Sequence, residues 1–279
     1  LGTVPVEEDG SALFKAPAGV PLYFQAVDES GRAVQSMRSA VYLQPGENRG
    51  CVGCHEQTQT TIRQTLPQRT IASLRAPSSI EPGDNALRPV SFLRFIQPIL
   101  DAKCVRCHDG GEESVAPILT GEIDEPFTKS YKELSQYVKW YEWGAKNYRE
   151  IVTKPGECGA DISPITEIIR TGAHKDIGLT DEEYRKILLW CDLNAPFYGV
   201  YDPKDQARQL QGEDVPLPEL QSPSGTSKPP SGLPARFPST ALIRFLLNSY
   251  QLRSFFCGFI IYLFSAIFLF PSQSFLFTL

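Results

Sequence analysis

Phe92-Leu93-Arg94-Phe95-Ile96-Gln97-Pro98-Ile99-Leu100-Asp101-Ala102-Lys103-Cys104-Val105-Arg106-Cys107-His108 decides how this chain is built. In its first half, Phe92, Phe95, Ile96, Ile99 and Leu100 fall on one face at helical spacing. Pro98 lies inside that stripe, so the helix either kinks there or a second one begins with proline in its first turn. The second half is C-x-x-C-H, and Cys51-Val52-Gly53-Cys54-His55 repeats it. This spacing is the attachment motif of c-type haem. Two thiols add across the porphyrin vinyl groups, and the two-residue spacer sets their separation on a turn. The adjacent imidazole then lies beneath the ring as the proximal iron ligand. The chain has three histidines, and two of them stand in these motifs.

Other uses of the same residues compete with this one. Two C-x-x-C pairs are the donors of a four-cysteine zinc site, but 49 residues separate them, far more than zinc-ribbon spacing allows. Either pair alone is a dithiol motif, which ordinarily follows a strand in a βαβ unit that is not seen here. Simple disulfides require neither histidine. Two covalently attached haems therefore form the leading reading, held by Cys51, Cys54 and His55 and by Cys104, Cys107 and His108.

His174 lies in Thr171-Gly172-Ala173-His174-Lys175-Asp176, after both motifs and between two expected helices. A lone loop histidine is ordinarily just solvated. With a haem on His108, however, a distal imidazole from a later loop completes a six-coordinate iron suited to electron transfer, because no position stays open. No histidine remains for the first haem. Its sixth position falls to Met37, the only methionine, to a lysine, to water or to nothing. Met37 reads equally as ordinary packing. An open position there would make the chain a redox enzyme of the peroxidase or nitrogen-oxide type instead of an electron carrier. Cys191 reads as a small buried hydrophobe, and Glu122, Asp124 and Glu125 as a solvated acidic loop.

The 279 residues fit one large domain or two ordinary ones, and 21 Gly with 23 Pro make the chain loop-rich without implying disorder throughout. A net charge of -5 carries no basic excess of the kind nucleic-acid binding needs. Thr3–Val6, Ala12–Phe14, Val20–Val27 and Ala40–Leu43 are short runs rich in β-branched and aromatic residues, separated by Glu8-Asp9-Gly10, Pro17-Ala18-Gly19 and Asp28–Gly31 turns. They predict half of a sandwich or small barrel. Helices are expected at 128–138, 164–171 and 181–193. Thr180 and Glu183 form a capping box for the last of these, and Tyr184, Ile187, Leu188 and Cys191 share a face.

The fold class is thus α+β, a β-sandwich-like domain followed by an α-helical one. A β-rich domain with the first motif covers 1–60 and a connecting loop 61–90. A helical domain with the second motif covers 91–205, a Pro/Ser-rich linker 206–240 and an apolar tail 241–279. The stretch 213–239 carries seven of the prolines. The chain starts at Leu1 with no charged and apolar leader, and a fragment or processed chain is the expectation.

From Val4-Pro5-Val6-Glu7-Glu8-Asp9-Gly10-Ser11-Ala12 through Pro21-Leu22-Tyr23-Phe24-Gln25-Ala26 to Gln35-Ser36-Met37-Arg38-Ser39 and the first motif, the chain resembles the middle domain of the hydrazine synthase alpha subunit. That domain occurs in larger multidomain proteins of planctomycete-type bacteria. Phe95–Leu100 leading into the second motif is similar to the start of a class I-like cytochrome c domain. Leu179–Glu183 and Trp190–Gly199 resemble the end of the same region. The resemblance covers residues 1 to about 200 and implies two haems on the periplasmic side, a preceding β-propeller, and His174 as distal ligand of the second haem. The synthase places an iron-ligating tyrosine four residues after the first motif's histidine, where this chain has Gln59. That departure argues against hydrazine formation and for His55 as an ordinary proximal ligand. Electron transfer with unidentified redox partners is the function expected, and a redox enzyme or a zinc-binding structural module are the alternatives.

Ser254–Leu279 contains no charge, and Phe255–Phe270 is nearly continuous apolar sequence. Sixteen helical residues reach about 25 Å against a hydrocarbon core of about 30 Å. The stretch 254–270 is therefore a candidate membrane anchor, and a misread or frameshifted terminus is the competing reading. Arg244 and Arg253 flank it on the haem-bearing side, against the positive-inside rule. Carbonate extraction separates the two: an anchored chain stays with the membrane pellet, and release into the supernatant defeats the anchor.

Overall fold

The computed structural model describes residues 1–37, 40–52, 69–83, 88–139, 155–157 and 159–216, together with the backbone of 240–246 and 275–278. The chain divides into two units. The first comprises 1–26, 36–84 and 218–279, and the second 27–35 and 85–217.

The first unit is built of strands in small sheets: β1 (Thr3–Val6), β2 (Ser11–Pro17), β3 (Pro21–Leu22), β4 (Gln25–Val27), β5 (Ala33–Ser36, leading back from the second unit), β6 (Val41–Tyr42) and β7 (Asn48–Val52). Alternation along β2 turns Ala12, Phe14 and Ala16 inward, where they meet Val4, Leu22, Phe24 and Leu43. Phe14 and Phe24 pack edge to face with ring centres 5.8 Å apart. The Asp9 turn carries more than a change of direction. Its carboxylate accepts from the Ser11 and Ile71 amides, and Ser11 Oγ accepts from the Ala72 amide at 3.1 Å, which fastens the 3-10 turn Ile71–Leu74 to β2. Thr3 and Glu81 exchange backbone hydrogen bonds of 2.9 Å. Gly2 permits this approach, since a Cβ there would stand 2.0 Å from the Glu81 carbonyl oxygen.

The second unit is helical. α1 (Phe92–Phe95) stops before α2 (Gln97–Lys103), and Pro98 occupies the first turn of α2. A second helix begins at the proline; the first does not bend through it. After the short hairpin β8 (Ile123–Asp124) and β9 (Phe127–Thr128) come α3 (Lys129–Leu134), α4 (Pro164–Ile168), α5 (Asp181–Asp192) and α6 (Pro203–Leu210). All five residues of the stripe from Phe92 to Leu100 are buried. The Phe92 ring sits among Tyr131, Trp190 and Phe197, with centres 5.2, 5.4 and 6.0 Å away. Thr180 and Glu183 close the capping box on α5, and Cys191 is fully buried. α6 runs past residue 205, where the sequence pattern closes the folded region. Asp202 caps it and Pro203 opens it, and Gln209 and Val215 beyond are buried.

The chain then returns to the first unit. Backbone strand β10 (Thr240–Leu246) lies antiparallel to β2 and parallel to β7, and β11 (Phe275–Thr278) lies antiparallel to β1. The apolar stretch 254–270 lies outside the described residues. Among the described residues no helix is long and apolar enough to cross a membrane.

One buried carboxylate organises the second unit. Asp192, at the end of α5, accepts from the Ala160 amide at 2.7 Å through Oδ1 and from the Ala33 amide at 2.8 Å through Oδ2. It thereby joins the turn at 27–35 and the 3-10 turn Gly159–Asp161 to the helix. Gly159 is required beside it, at φ +55 and with the place of a Cβ 2.1 Å from Oδ1. Burial pushes the Asp192 carboxyl up to about 7, although both amide bonds favour the charged form. Between about 4, the unfolded value, and that level, the folded chain holds a proton the unfolded chain has released. Stability therefore falls as pH rises across this window. Urea unfolding across it checks the slope, and Asp192→Asn is expected to abolish it. The same variant sets an amide N–H against one of the two backbone donors and lowers stability by about 1–3 kcal/mol.

Candidate metal centre

α2 delivers the second cysteine motif. The Cys104 amide still bonds the Leu100 carbonyl at 2.8 Å, after which the chain tightens. The Cys107 amide donates to Cys104 O at 3.1 Å, and the His108 amide donates to Cys104 O and Val105 O, both at 3.1 Å. Both thiols and the imidazole thus leave one turn of backbone. Cys104 is partly buried and its thiol is pushed up to about 11 by desolvation, while Cys107 is exposed.

His108 is held on all sides. It is 9% exposed, its carbonyl accepts from the Leu119 amide at 2.8 Å, and the Val115 amide bonds Cys107 O at 3.0 Å. Its Nδ1 lies 2.9 Å from Pro117 O and 3.0 Å from Val115 O. Two carbonyl oxygens can only accept, so Nδ1 carries a proton, and in the neutral ring Nε2 is the nitrogen with the lone pair. Backbone carbonyls behind metal-binding imidazoles fix the tautomer in this way and raise ligand basicity.

His174 ends the 3-10 turn Gly172–His174 between α4 and α5. Its ring centre is 6.1 Å from that of His108, and the ring planes are inclined by 15°. Two imidazoles bound on opposite sides of one metal ion, each through a bond of about 2 Å, place their ring centres roughly 6 Å apart. The loop that carries His174 is tied to the end of α2, where Lys103 Nζ donates to Gly178 O at 2.8 Å and lies 3.8 Å from a Glu183 oxygen. Of the residues expected at the second motif, His108 and His174 approach each other, and Cys104 and Cys107 leave the same turn of backbone as His108. The sequence gives no sign of the Val115 and Pro117 carbonyls, because backbone acceptors carry no side-chain signature.

The first motif is described only in part. Cys51 lies near the end of β7, half-buried beside the first unit's core, and burial raises its thiol. Cys54, His55 and Gln59 lie outside the described residues. Met37 packs against the same core, and its sulfur accepts from the Phe24 amide at 3.3 Å. Among the described residues no group of three or more His, Cys, Asp or Glu side chains gathers as a metal site.

Residues 1–56 match the family model of the hydrazine synthase alpha subunit middle domain. The chain is 27% identical to hydrazine synthase subunit alpha of Kuenenia stuttgartiensis over a 158-residue alignment that takes in 39% of this chain. The match spans 20% of that relative's length. No solved structure matches the chain significantly.

Nitrogen-15 NMR of selectively labelled histidine in the haem-free chain checks the tautomer. Neutral His108 is expected to carry its proton on Nδ1, and a proton on Nε2 would contradict the carbonyl pairing.

Proposed function

We propose that this chain is a dihaem c-type electron-transfer protein of the periplasmic side of a bacterial envelope, working with redox partners still to be identified. A β-rich domain over 1–60 carries one haem, and a cytochrome c-like helical domain over 91–205 carries the other. The facing imidazoles of His108 and His174, 6.1 Å apart, are the observation that supports it most. The paired cysteine motifs and the resemblance of residues 1–56 to the hydrazine synthase alpha middle domain support the rest.

In the second unit Cys104 and Cys107 would hold the macrocycle through thioether bonds, with His108 Nε2 as proximal ligand. The carbonyls of Val115 and Pro117 keep the His108 proton on Nδ1, so the ligating nitrogen stays free of it. His174 would close the opposite side and exclude water and small molecules from the metal. Haem, when bound, supplies reversible one-electron chemistry. In the first unit Cys51, Cys54 and His55 would hold the other group.

A second reading concerns that first site. Met37 gives its sulfur to the Phe24 amide, which favours a first iron with no methionine ligand; with water or nothing in place of a lysine, that iron would be open and the chain a redox enzyme. Carbon monoxide added to the reduced protein separates the readings. A spectral change assigned to the first haem supports the enzyme, and none supports the carrier.

Expressed with cytochrome c maturation, the denatured chain should carry the mass of two haems, and Cys104→Ser with Cys107→Ser should leave one. A colourless product defeats the proposal. His174→Ala should convert the second haem from a low-spin to a high-spin optical spectrum, and an unchanged spectrum removes His174 as its ligand.

A further inference from the structure

The loop that presents His174 also lines a cleft of 280 Å³. Ile169, Ile177, Leu179 and the Tyr184 ring line it together with Arg170 and Lys175. Arg170 is not a loose surface side chain. Its guanidinium carbon lies 4.5 Å from the centre of the Tyr184 ring. The Tyr184 hydroxyl accepts from Arg32 Nη2 at 3.1 Å and donates to Thr166 O at 3.3 Å. A guanidinium stacked on a ring so fixed keeps its edge N–H groups for an anion. Among the described residues neither Arg170 nor Lys175 makes an ion pair. The carboxylate that lines the cleft, Asp181, is the first residue of α5, where the helix dipole balances it. Glu183 nearby is engaged by Lys103 and by the Thr180 amide. Two cations without an ion-pair partner among the described residues therefore line a cleft next to a candidate iron ligand.

We infer that this cleft receives the carboxylate edge of the haem held at the second motif, with Arg170 and Lys175 as partners of its two carboxylates. The inference rests on the proposed haem site and adds the residues that orient the macrocycle and set its potential. The cations would pair with the acid groups and so offset their charge. Arg170 and Lys175 act as positioning residues, because positive charge beside the ring favours the reduced, less positive iron.

The test uses the full chain matured with haem. Arg170→Gln and Lys175→Gln, singly and together, are compared with Lys129→Gln, which removes a charge on α3. Mass confirms haem attachment, and the low-spin spectrum confirms that His174 still ligates. The midpoint potential of the second haem should fall in each cleft variant, by about tenfold in the oxidised-to-reduced ratio for the pair, or 59 mV. It should stay unchanged in Lys129→Gln, and Arg170→Lys should recover most of the shift. Should Arg170→Gln lose the low-spin spectrum, the exposed Lys175→Gln carries the test alone. An unchanged potential with haem attached and low-spin overturns the cleft assignment and leaves the haem site standing. A chain that attaches no haem at Cys104 and Cys107 overturns both.

Discussion

One proton, kept on Nδ1 of His108, is the constraint on which the rest of the site depends. Two carbonyls, from Val115 and Pro117, leave that nitrogen no other role than donor. In the neutral ring the opposite nitrogen then keeps its lone pair, and the His174 ring centre lies 6.1 Å from that of His108. Each carbonyl comes from the loop that follows the cysteine motif, and that loop is itself held by amide bonds to Cys107 and His108. The motif therefore builds its own support, and the ligand orientation follows from backbone geometry more than from packing.

The opposite ligand depends on longer-range ties. His174 sits between α4 and α5, so its position follows from how α5 is anchored. Thr180 and Glu183 fix the start of the helix, Lys103 ties its approach loop to α2, and Asp192 fixes the far end by two buried amide bonds. Tyr184, one turn into α5, meets Arg32, Thr166 and Arg170 at once. A carboxylate that burial pushes to about 7 is costly to retain in a core. Its retention is accounted for by its geometric role, since no neutral isostere accepts from both amides.

Much of the helical unit was legible from pattern alone. The spacing of Phe92 to Leu100 and the capping box at Thr180 are local signals, and local contacts decide those elements. The β unit was legible in character but not in detail. Val20–Val27 reads as one strand yet splits into β3 and β4. Asn48–Val52 has no apolar alternation, and its strand is defined by a parallel partner almost two hundred residues away in sequence. α6 lacks an apolar stripe, and its only marks are Asp202 and Pro203 at the start. At the site, the donor residues were visible because cysteine and histidine are rare and spaced. The carbonyls behind His108, the tie from Lys103 and the stacking of Arg170 on Tyr184 were not, since each depends on distant segments meeting.

The likeness to the hydrazine synthase alpha subunit covers residues 1–56 by family and a fifth of one relative by alignment. The family match falls mostly in the first unit, whereas His108 and His174 belong to the second. The pairing of His108 with His174 is thus a separate support for redox function, and it can be checked directly. Crystals of the matured chain, measured at the iron absorption edge, should show an anomalous peak between the two rings, about 2 Å from His108 Nε2 and from a nitrogen of His174. A peak bound by His108 alone, or none at this place, would contradict it.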